Sequence, residues 1–363
     1  MPSRAFTASR RQLTALRLSA LGIAQPNPAA ATGAAETVRA QLALQGQDFP
    51  GLLWSIGLRS MGETLASITA AHEAGQFVRT WPMRGTLHAI TPADLAWLLA
   101  LTGERQIRAA AGRHRQLELT PADFVRADEV ARAVLANGAI ADRATLLAAF
   151  AEAGVAPTGQ RGVHLLAVLA QSGTIVLTGK TTYALFETVL PAPPPEITSD
   201  DVLRTLALRY ATSHGPVTAR DLAWWSGLTL TDARAGLAAA AFDLEVLVVD
   251  GIEYFHAPGL QPAESGVHLL PGFDEYLLGY TDRSAQLSAE YSERIVPGGN
   301  GMFLSTIVVD GEVVGTWRRN RSRDRVEVTL EPFDSLRATV RRRMRPAVAR
   351  YSDFLELPVT LAD

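Results

Sequence analysis

The chain has 363 residues, of which 47% are hydrophobic, and it carries 34 Lys and Arg against 37 Asp and Glu. This length and composition predict two or three domains with sizeable cores, while the absence of Cys excludes disulfides, thiolate zinc sites and cysteine nucleophiles. No apolar run reaches the roughly 20 residues of a membrane helix and no signal-peptide pattern opens the chain, so we expect a cytoplasmic protein without membrane contact.

The first part of the chain has the periodicity of three helices followed by a hairpin. We predict helices from Ala34 to about Leu44, over Pro50–Leu58 and over Thr64–Ala74. The segment FVRTWPMRGTLHAI then reads as two strands that turn at Met83-Arg84. Three helices and a hairpin, in this order, are typical of a winged helix.

The same order recurs twice along the chain. The second set of predicted helices is Asp128–Asn137, Asp142–Ala153 and Gly159–Gln171, and the third is Asp200–Ser213, Thr218–Ser226 and Thr231–Ala241. Each set is followed by an alternating segment with a glycine turn, at Thr178-Gly179 and at Asp250-Gly251. An extra helical region covers Pro92–Pro121, and the proline-rich segment Leu190–Ser199 is predicted to be a semi-rigid spacer.

From Val267 the hydrophobic period changes to two. The segments VHLLPGFDEYLLGY, MFLSTIVVDGEVVGTWRR and RVEVTLEPF read as antiparallel strands, and Asp334–Leu355 as a closing basic helix. The predicted fold is α+β, with three tandem winged-helix units, a small antiparallel β-barrel and a C-terminal helix. The predicted parts are 1–91, 92–190 with the connector helices, the linker 191–199, 200–262, and 263–363 with the barrel.

Between the first two helices lies the segment Gln45-Gly46-Gln47-Asp48. Gly46 can take a positive φ and Pro50 suits a first helical turn, which predicts a short turn that holds both Gln side chains rigidly. Because Gln carries donors and acceptors, the pair could fix a water molecule or hold the edge of a base. The alternative is that these Gln residues are merely solvated at a helix end.

Nearly all of the positive charge is Arg, with Lys180 the one lysine in the sequence. Arg binds phosphate through planar bidentate contacts, so dense Arg clusters are candidate phosphate-facing surfaces. A GC-rich coding bias that favours Arg codons is the alternative explanation for the excess of Arg, and a solvated helix face is the alternative for the second cluster. The clusters are Arg318, Arg319, Arg321, Arg323 and Arg325, and Arg337, Arg341, Arg342, Arg343 and Arg345.

Four segments in order resemble the winged-helix DNA glycosylases of the AlkZ and YcaQ type. They are QGQDFPGLLWSIGLR, MRGTLH, LLPGFDEYLLGYTDR and VVDGEVVGTW. The resemblance implies tandem winged helices packed with a β-barrel, and hydrolysis of the N-glycosidic bond of bulky or crosslinked alkylated purines. The family signature is Gln, an aliphatic residue and Gln in the AlkZ-like branch, with Asp in place of the second Gln in the YcaQ-like branch. Gln45-Gly46-Gln47 matches the AlkZ-like form of it except at Gly46.

The resemblance also implies roles for individual residues. Gln45 and Gln47 would be catalytic by orienting a water molecule and stabilising positive charge on the sugar, with Asp48 in support. Neutral lesions should be poor substrates, because a cationic purine leaves without strong acid catalysis. Further candidates are Arg84 and His88 as contacts to phosphate or lesion, Gly299 and Asn300 as a minor-groove probe, and Arg318, Arg319 and Arg321 as DNA-binding residues.

Two further residue assignments come from position alone. Trp54 is spaced to face the core, and Asp274 and Arg283 are expected to form a structural ion pair. Arg84 and His88 could equally be structural residues of a strand, and the glycine loop could be merely a turn.

Our leading interpretation is a monofunctional DNA glycosylase that acts as a monomer on double-stranded DNA with alkylated purines, in base excision repair and with interstrand crosslinks as further candidate substrates. No metal or organic cofactor is expected. The first alternative is a non-enzymatic winged-helix DNA-binding regulator, against which the poorly basic third helices of the units argue. The second is a protein-interaction module, which the slightly acidic net charge favours.

Overall fold

A computed structural model describes residues 6–25, 33–190 and 199–362. The chain forms two compact units, the first made of Met1–Ile68 with Leu203–Asp363 and the second of Thr69–Val202. Residues 191–198 of the predicted linker are not among the residues that the structure describes. The division of the chain into five parts stays a prediction.

The helices of the three predicted sets begin and end close to the predicted positions, except that the helix predicted at Asp128 starts at Pro121. The helices Arg10–Ala20, Phe186–Val189 and Ser292–Ile295 were not predicted. The described residues form sixteen α-helices. They are α1 (Arg10–Ala20), α2 (Ala34–Gln41), α3 (Phe49–Arg59), α4 (Leu65–Glu73), α5 (Pro92–Gln116), α6 (Pro121–Val134), α7 (Arg143–Glu152), α8 (Arg161–Gln171), α9 (Phe186–Val189), α10 (Ser199–His214), α11 (Ala219–Ser226), α12 (Leu230–Ala239), α13 (Glu275–Leu278), α14 (Ser292–Ile295), α15 (Ala338–Arg343) and α16 (Arg345–Leu355). Among these helices, none combines the length and the apolar character needed to cross a bilayer.

The strands of the described residues include every predicted hairpin. They are β1 (Phe6–Thr7), β2 (Leu44–Gln45), β3 (Val78–Met83), β4 (Thr86–Ile90), β5 (Ala141–Asp142), β6 (Ile175–Leu177), β7 (Thr182–Leu185), β8 (Glu245–Val249), β9 (Ile252–His256), β10 (Val267–Leu270), β11 (Thr306–Val309), β12 (Glu312–Arg321), β13 (Val326–Pro332) and β14 (Val359–Leu361). The order of three helices and a hairpin is therefore present three times. That each set forms a winged helix stays a prediction.

Local sequence explains the turns. Positive φ occurs at both central residues of Arg84-Gly85, Asp250-Gly251 and Asp310-Gly311, which is the backbone of a two-residue hairpin turn that follows the twist of its strands. Between α11 and α12, Gly227 ends the first helix with a φ of +75° and Thr229 caps the second. Thr218 is the N-cap residue of α11, because its side chain accepts a hydrogen bond from the backbone N–H of Asp221.

The second unit is built on an antiparallel sheet in the order β4-β3-β6-β7-β5. Its core lies between this sheet and the helices α6, α7 and α8. Large buried side chains from both layers fill it, among them Trp81, Phe150 and Tyr183. Apolar burial of this kind is the main source of the stability of such a unit.

In the first unit, the predicted β-barrel is an open sheet in the described residues. Its order is β10-β11-β12-β13-β14, antiparallel except that β14 runs parallel to β13. Helix α16 packs on this sheet, where Tyr351 contacts Trp317 of β12 edge-on with 5.4 Å between the ring centroids. The ring centroid of Trp54 in α3 lies 4.8 Å from that of Tyr351, and the predicted core position of Trp54 is confirmed.

Two predicted elements of the first unit were wrong. Residues 275–278 form the short helix α13 and not a strand, because Phe273 has a φ of +59° and the Asp274 side chain caps the helix that follows. The single C-terminal helix is broken between Arg343 and Arg345. Pro346 has no N–H group and fits only the first turn of a new helix, which begins α16 there.

His268 of β10 gives this unit a pH-dependent stability. Burial and the charge of Arg350 lower its pKa from 6.5 to about 4. The unfolded chain therefore binds more protons between these values, so the free energy of unfolding should fall as the pH drops below 6.5. We expect a loss of about 2 kcal/mol from this residue between pH 7 and pH 5.

Urea unfolding of wild type and of His268→Gln at both pH values measures this contribution. The variant should lose about 2 kcal/mol less than wild type on acidification. An equal loss in the two proteins would show that His268 is not responsible.

Candidate functional site

The chain enters the Gln45–Asp48 segment through a sharp turn at Leu42. This residue has φ +65° and ψ −55°, and the Ala43 N–H donates to the Gln41 carbonyl at 2.8 Å, which together define a strained γ-turn. The Leu42 side chain is fully buried, and its packing offsets the strain. The sequence suggested a positive φ at Gly46. In the structure the residue of this stretch with a positive φ is Leu42.

Gln45 is held by its backbone but not by its side-chain oxygen. The residue is 8% exposed, and its N–H donates to Glu275 Oε1 at 2.9 Å. Its Oε1 is buried, and no donor in the described part of the chain lies within hydrogen-bonding distance of it. An unpaired buried acceptor costs about 1–3 kcal/mol, so this oxygen lowers the stability of the fold.

Gln47 and Asp48 are more open to solvent and lead directly into α3. Gln47 is exposed, and Asp48 is the partly exposed N-cap residue of the helix, where its side chain makes no capping hydrogen bond. The carboxylate lies against the first turn, because a Cβ atom added at Gly51 would come within 2.6 Å of Asp48 Oδ2. A negative charge at this end of a helix is favourable.

A buried ion pair fixes the other end of α3. Arg59 donates to both carboxylate oxygens of Asp274, at 2.9 and 3.0 Å, and Ser55 donates to Oδ2 at 3.1 Å. The side chains of Arg59 and Asp274 are 1% and 3% exposed. The predicted partner Arg283 was wrong, because its Nε instead donates to the Leu277 carbonyl and its guanidinium lies over the Phe303 ring.

Arg84 and His88 lie in the second unit, whereas the Gln45–Asp48 segment lies in the first. His88 is fully buried, with Nδ1 2.9 Å from the Thr86 carbonyl and Nε2 3.1 Å from Arg84 Nη2. Because a guanidinium only donates, Nε2 accepts and Nδ1 carries the proton. These contacts within the hairpin are those of a structural pair, and a role towards DNA stays a prediction.

The β12–β13 hairpin brings arginines beside the start of α3. Arg319 and Arg321 line a cavity of about 260 Å³ together with Pro50 of α3 and Tyr351 and Phe354 of α16. Arg319 also donates to the Tyr351 hydroxyl at 3.0 Å. The two arginines thus line a cavity beside the first turn of α3.

Arg318, on the other face of the hairpin, is already paired. It donates to Glu331 across the strands, with side chains that are 73% and 38% exposed. The second arginine cluster is divided in a similar way, since Arg343 pairs with Asp310 while Arg341 and Arg342 are exposed.

Gly299 and Asn300 lie on an exposed loop of the first unit. Gly298 and Gly299 have φ values of +66° and +61°, which explains the glycines. Asn300 Oδ1 accepts a hydrogen bond from the Met302 backbone at 2.9 Å, and Met302 itself is exposed. An exposed apolar side chain at the tip of such a loop fits a probe of the minor groove, which stays a prediction.

Sequence reasoning missed Glu275. Its carboxylate is 1% exposed, accepts from the Gln45 N–H and from the Trp225 indole at 3.0 Å, and lies 3.3 Å from His214 Nε2. The available signal was the acid itself in the apolar run LLPGFDEYLLGY, where a strand was predicted and an acid has no place unless it is paired.

Comparison with known proteins gives a consistent assignment. The family described as "DNA glycosylase AlkZ-like" matches residues 38–354. An "Interstrand DNA cross-link repair glycosylase" of Streptomyces sahachiroi is 26% identical over 390 aligned positions, which cover 98% of this chain and 99% of that protein. The structure of Streptomyces sahachiroi DNA glycosylase AlkZ superposes with a TM-score of 0.79 at 22% identity, over 98% of this chain and 100% of that one, and shows the same fold. Because the family match spans most of the sequence, the chain belongs to the AlkZ-like DNA glycosylases.

Proposed function

We propose that this protein is a monofunctional DNA glycosylase that hydrolyses the N-glycosidic bond of bulky, cationic alkylated purines in double-stranded DNA, and that interstrand crosslinks are among its substrates. The observation that carries the proposal is the buried, unpaired Oε1 of Gln45 next to the exposed Gln47. The name of the cross-link repair relative supports the substrate class.

Hydrolysis of the glycosidic bond to a cationic purine requires little proton transfer by the protein. When a cationic purine leaves, the electron pair of the glycosidic bond neutralises the base and the positive charge passes to the sugar. Gln45 Oε1 accepts a hydrogen bond from the water that attacks the anomeric carbon, and Gln47 approaches from the solvent side. The oxygen of this water forms the new bond to the sugar, and the proton that it loses passes to bulk water. A Gln is too weak a base to remove a proton, so its role is orientation. The Asp48 carboxylate stabilises the charge on the sugar.

A second step, cleavage of the strand by an amine, is not expected. Such a step needs an amine that attacks the sugar as a nucleophile. The sequence has one lysine, Lys180, which is exposed after β6. This supports release of the base without strand cleavage.

Duplex DNA with a single cationic N7-alkylguanine tests the proposal. Free base should appear, and strands should break only after treatment with hot alkali. Strand breakage without alkali would contradict the monofunctional reaction. Sequence-selective binding without any base release would instead support a DNA-binding regulator.

Arg321 is the hairpin arginine that we expect to contact a phosphate. It is exposed on β12 and lines the cavity beside α3. Arg321→Ala should lower the slope of log K against log salt by about one, because one phosphate contact and its released counterion are lost. Arg318→Ala serves as the control with a smaller effect, since Glu331 already balances its charge. Equal slopes for wild type and Arg321→Ala would exclude this contact.

A further inference from the structure

Two consecutive acidic residues contact both flanks of the Gln45–Asp48 segment. Asp274 binds Ser55 and Arg59 of α3, which follows the segment. Glu275 accepts the backbone N–H of Gln45 at 2.9 Å. Both acids are almost fully buried.

The Glu275 carboxylate is itself held in place on its other side. Oε1 faces Gln45, while Oε2 accepts from Trp225 Nε1 at 3.0 Å and lies 3.3 Å from His214 Nε2. His214 is fixed in turn, because its Nδ1 lies 2.8 Å from the Ser213 hydroxyl and its ring stacks on Tyr210 at 4.8 Å. The carboxylate thus has little freedom to move, and neither has the peptide bound to it.

We propose that Glu275 is a positioning residue for Gln45, and that it acts through the Gln45 backbone and not on the substrate. This inference rests on the proposed catalytic role of Gln45. The Gln45 side-chain oxygen has no hydrogen bond of its own in the described residues, so its position depends on the backbone from which the side chain extends. That backbone follows the strained turn at Leu42 and is anchored to Glu275. A misplacement of about 1 Å in such a group can lower a rate by about 100-fold.

Glu275→Gln tests the inference with little change in volume. An amide has one acceptor oxygen in place of two, so an NH₂ group must face either the Gln45 N–H or the Trp225 and His214 side. We expect the single-turnover rate of base excision to fall about tenfold or more, with the DNA dissociation constant within about twofold of wild type.

Trp225→Phe is the matched control. It removes a donor to the same carboxylate but leaves the bond to Gln45, so the rate should stay within about threefold of wild type at a comparable loss of thermal stability. If both variants lose rate in proportion to their loss of stability, Glu275 has only a structural role and the inference is overturned. Should Glu275→Gln fail to fold, Glu275→Asp retracts the charged carboxylate from Gln45, and an undiminished rate in that variant would overturn it equally.

A double-mutant cycle separates this inference from the function on which it rests. If Glu275 acts through Gln45, then Glu275→Gln should lower the rate of a Gln45→Ala protein by less than about twofold. If the rate losses of the two single variants multiply in the double variant, the inference about Glu275 is overturned while the role of Gln45 stands. A fully active Glu275→Gln together with an inactive Gln45→Ala would have the same meaning. A fully active Gln45→Ala would instead contradict the proposed role of Gln45.

Discussion

Gln45→Met is expected to lower the single-turnover rate of base excision by about 100-fold or more, because the acceptor that orients the attacking water is removed. Met is unbranched and close to Gln in size, so the buried volume stays filled. Binding of undamaged duplex should be unchanged, since the residue is 8% exposed and belongs to the reaction and not to the phosphate contacts.

The same variant should be as stable as wild type, or more stable by about 1 kcal/mol, because an unpaired buried oxygen is replaced by an apolar group. Urea unfolding measures this. Gln41 offers a matched control, since it is buried and its Oε1 also has no partner in the described residues. Gln41→Met should keep its excision rate. An equal loss of excision in both variants would show that the effect is not specific to Gln45.

Asp274→Ala is expected to reduce the free energy of unfolding by about 3–5 kcal/mol. The change leaves the guanidinium of Arg59, 1% exposed, without its carboxylate, and it also removes the acceptor of Ser55. Urea or thermal unfolding measures the loss.

The exposed pair of Arg318 and Glu331 is the comparison for this experiment. Glu331→Ala leaves a guanidinium that is 73% exposed, so water replaces the lost partner and we expect a change of about 1 kcal/mol or less. Similar losses of unfolding free energy in the two variants would show that burial does not increase the contribution of the Arg59–Asp274 pair to stability.

Elements with a strong local signal could be predicted from sequence. The hairpins around Asp250-Gly251 and Asp310-Gly311 were found because these residues accept the backbone of a two-residue turn. The helix after Thr218 was found from its periodicity, and in the structure Thr218 and Asp221 bind the free N–H groups at its start. The resemblance to the AlkZ-type glycosylases is likewise confirmed by the family match over residues 38–354.

Features that depend on distant residues could not be predicted in this way. Nothing local marks Leu42 for a positive φ, since its burial among other residues offsets the strain. Asp274 was assigned to nearby Arg283, whereas its partner Arg59 lies 215 positions away. β14 pairs with β13 in parallel after the C-terminal helix, and the alternating pattern of three residues is too short to reveal it.

The residues of the candidate site also differ in how far they can be recognised from local sequence. Gln45, Gln47 and Asp48 are visible in the sequence because the family signature is continuous there. Glu275 stands out in the sequence only as an acid in an apolar run, and its hydrogen bond to the backbone of Gln45, 230 positions away, cannot be inferred from that run. Because the donor is a backbone N–H, this contact does not depend on which side chain stands at position 45, and the sequence around Gln45 does not reveal it.

Release of the free alkylated base from duplex DNA, followed by mass spectrometry under single-turnover conditions, tests the role of the glutamine pair most directly. Wild type should release the base, and the Gln45→Met, Gln47→Ala double variant should release it only at the rate of the DNA alone while remaining folded and bound to the duplex. Release by that variant at the wild-type rate would contradict the proposed site.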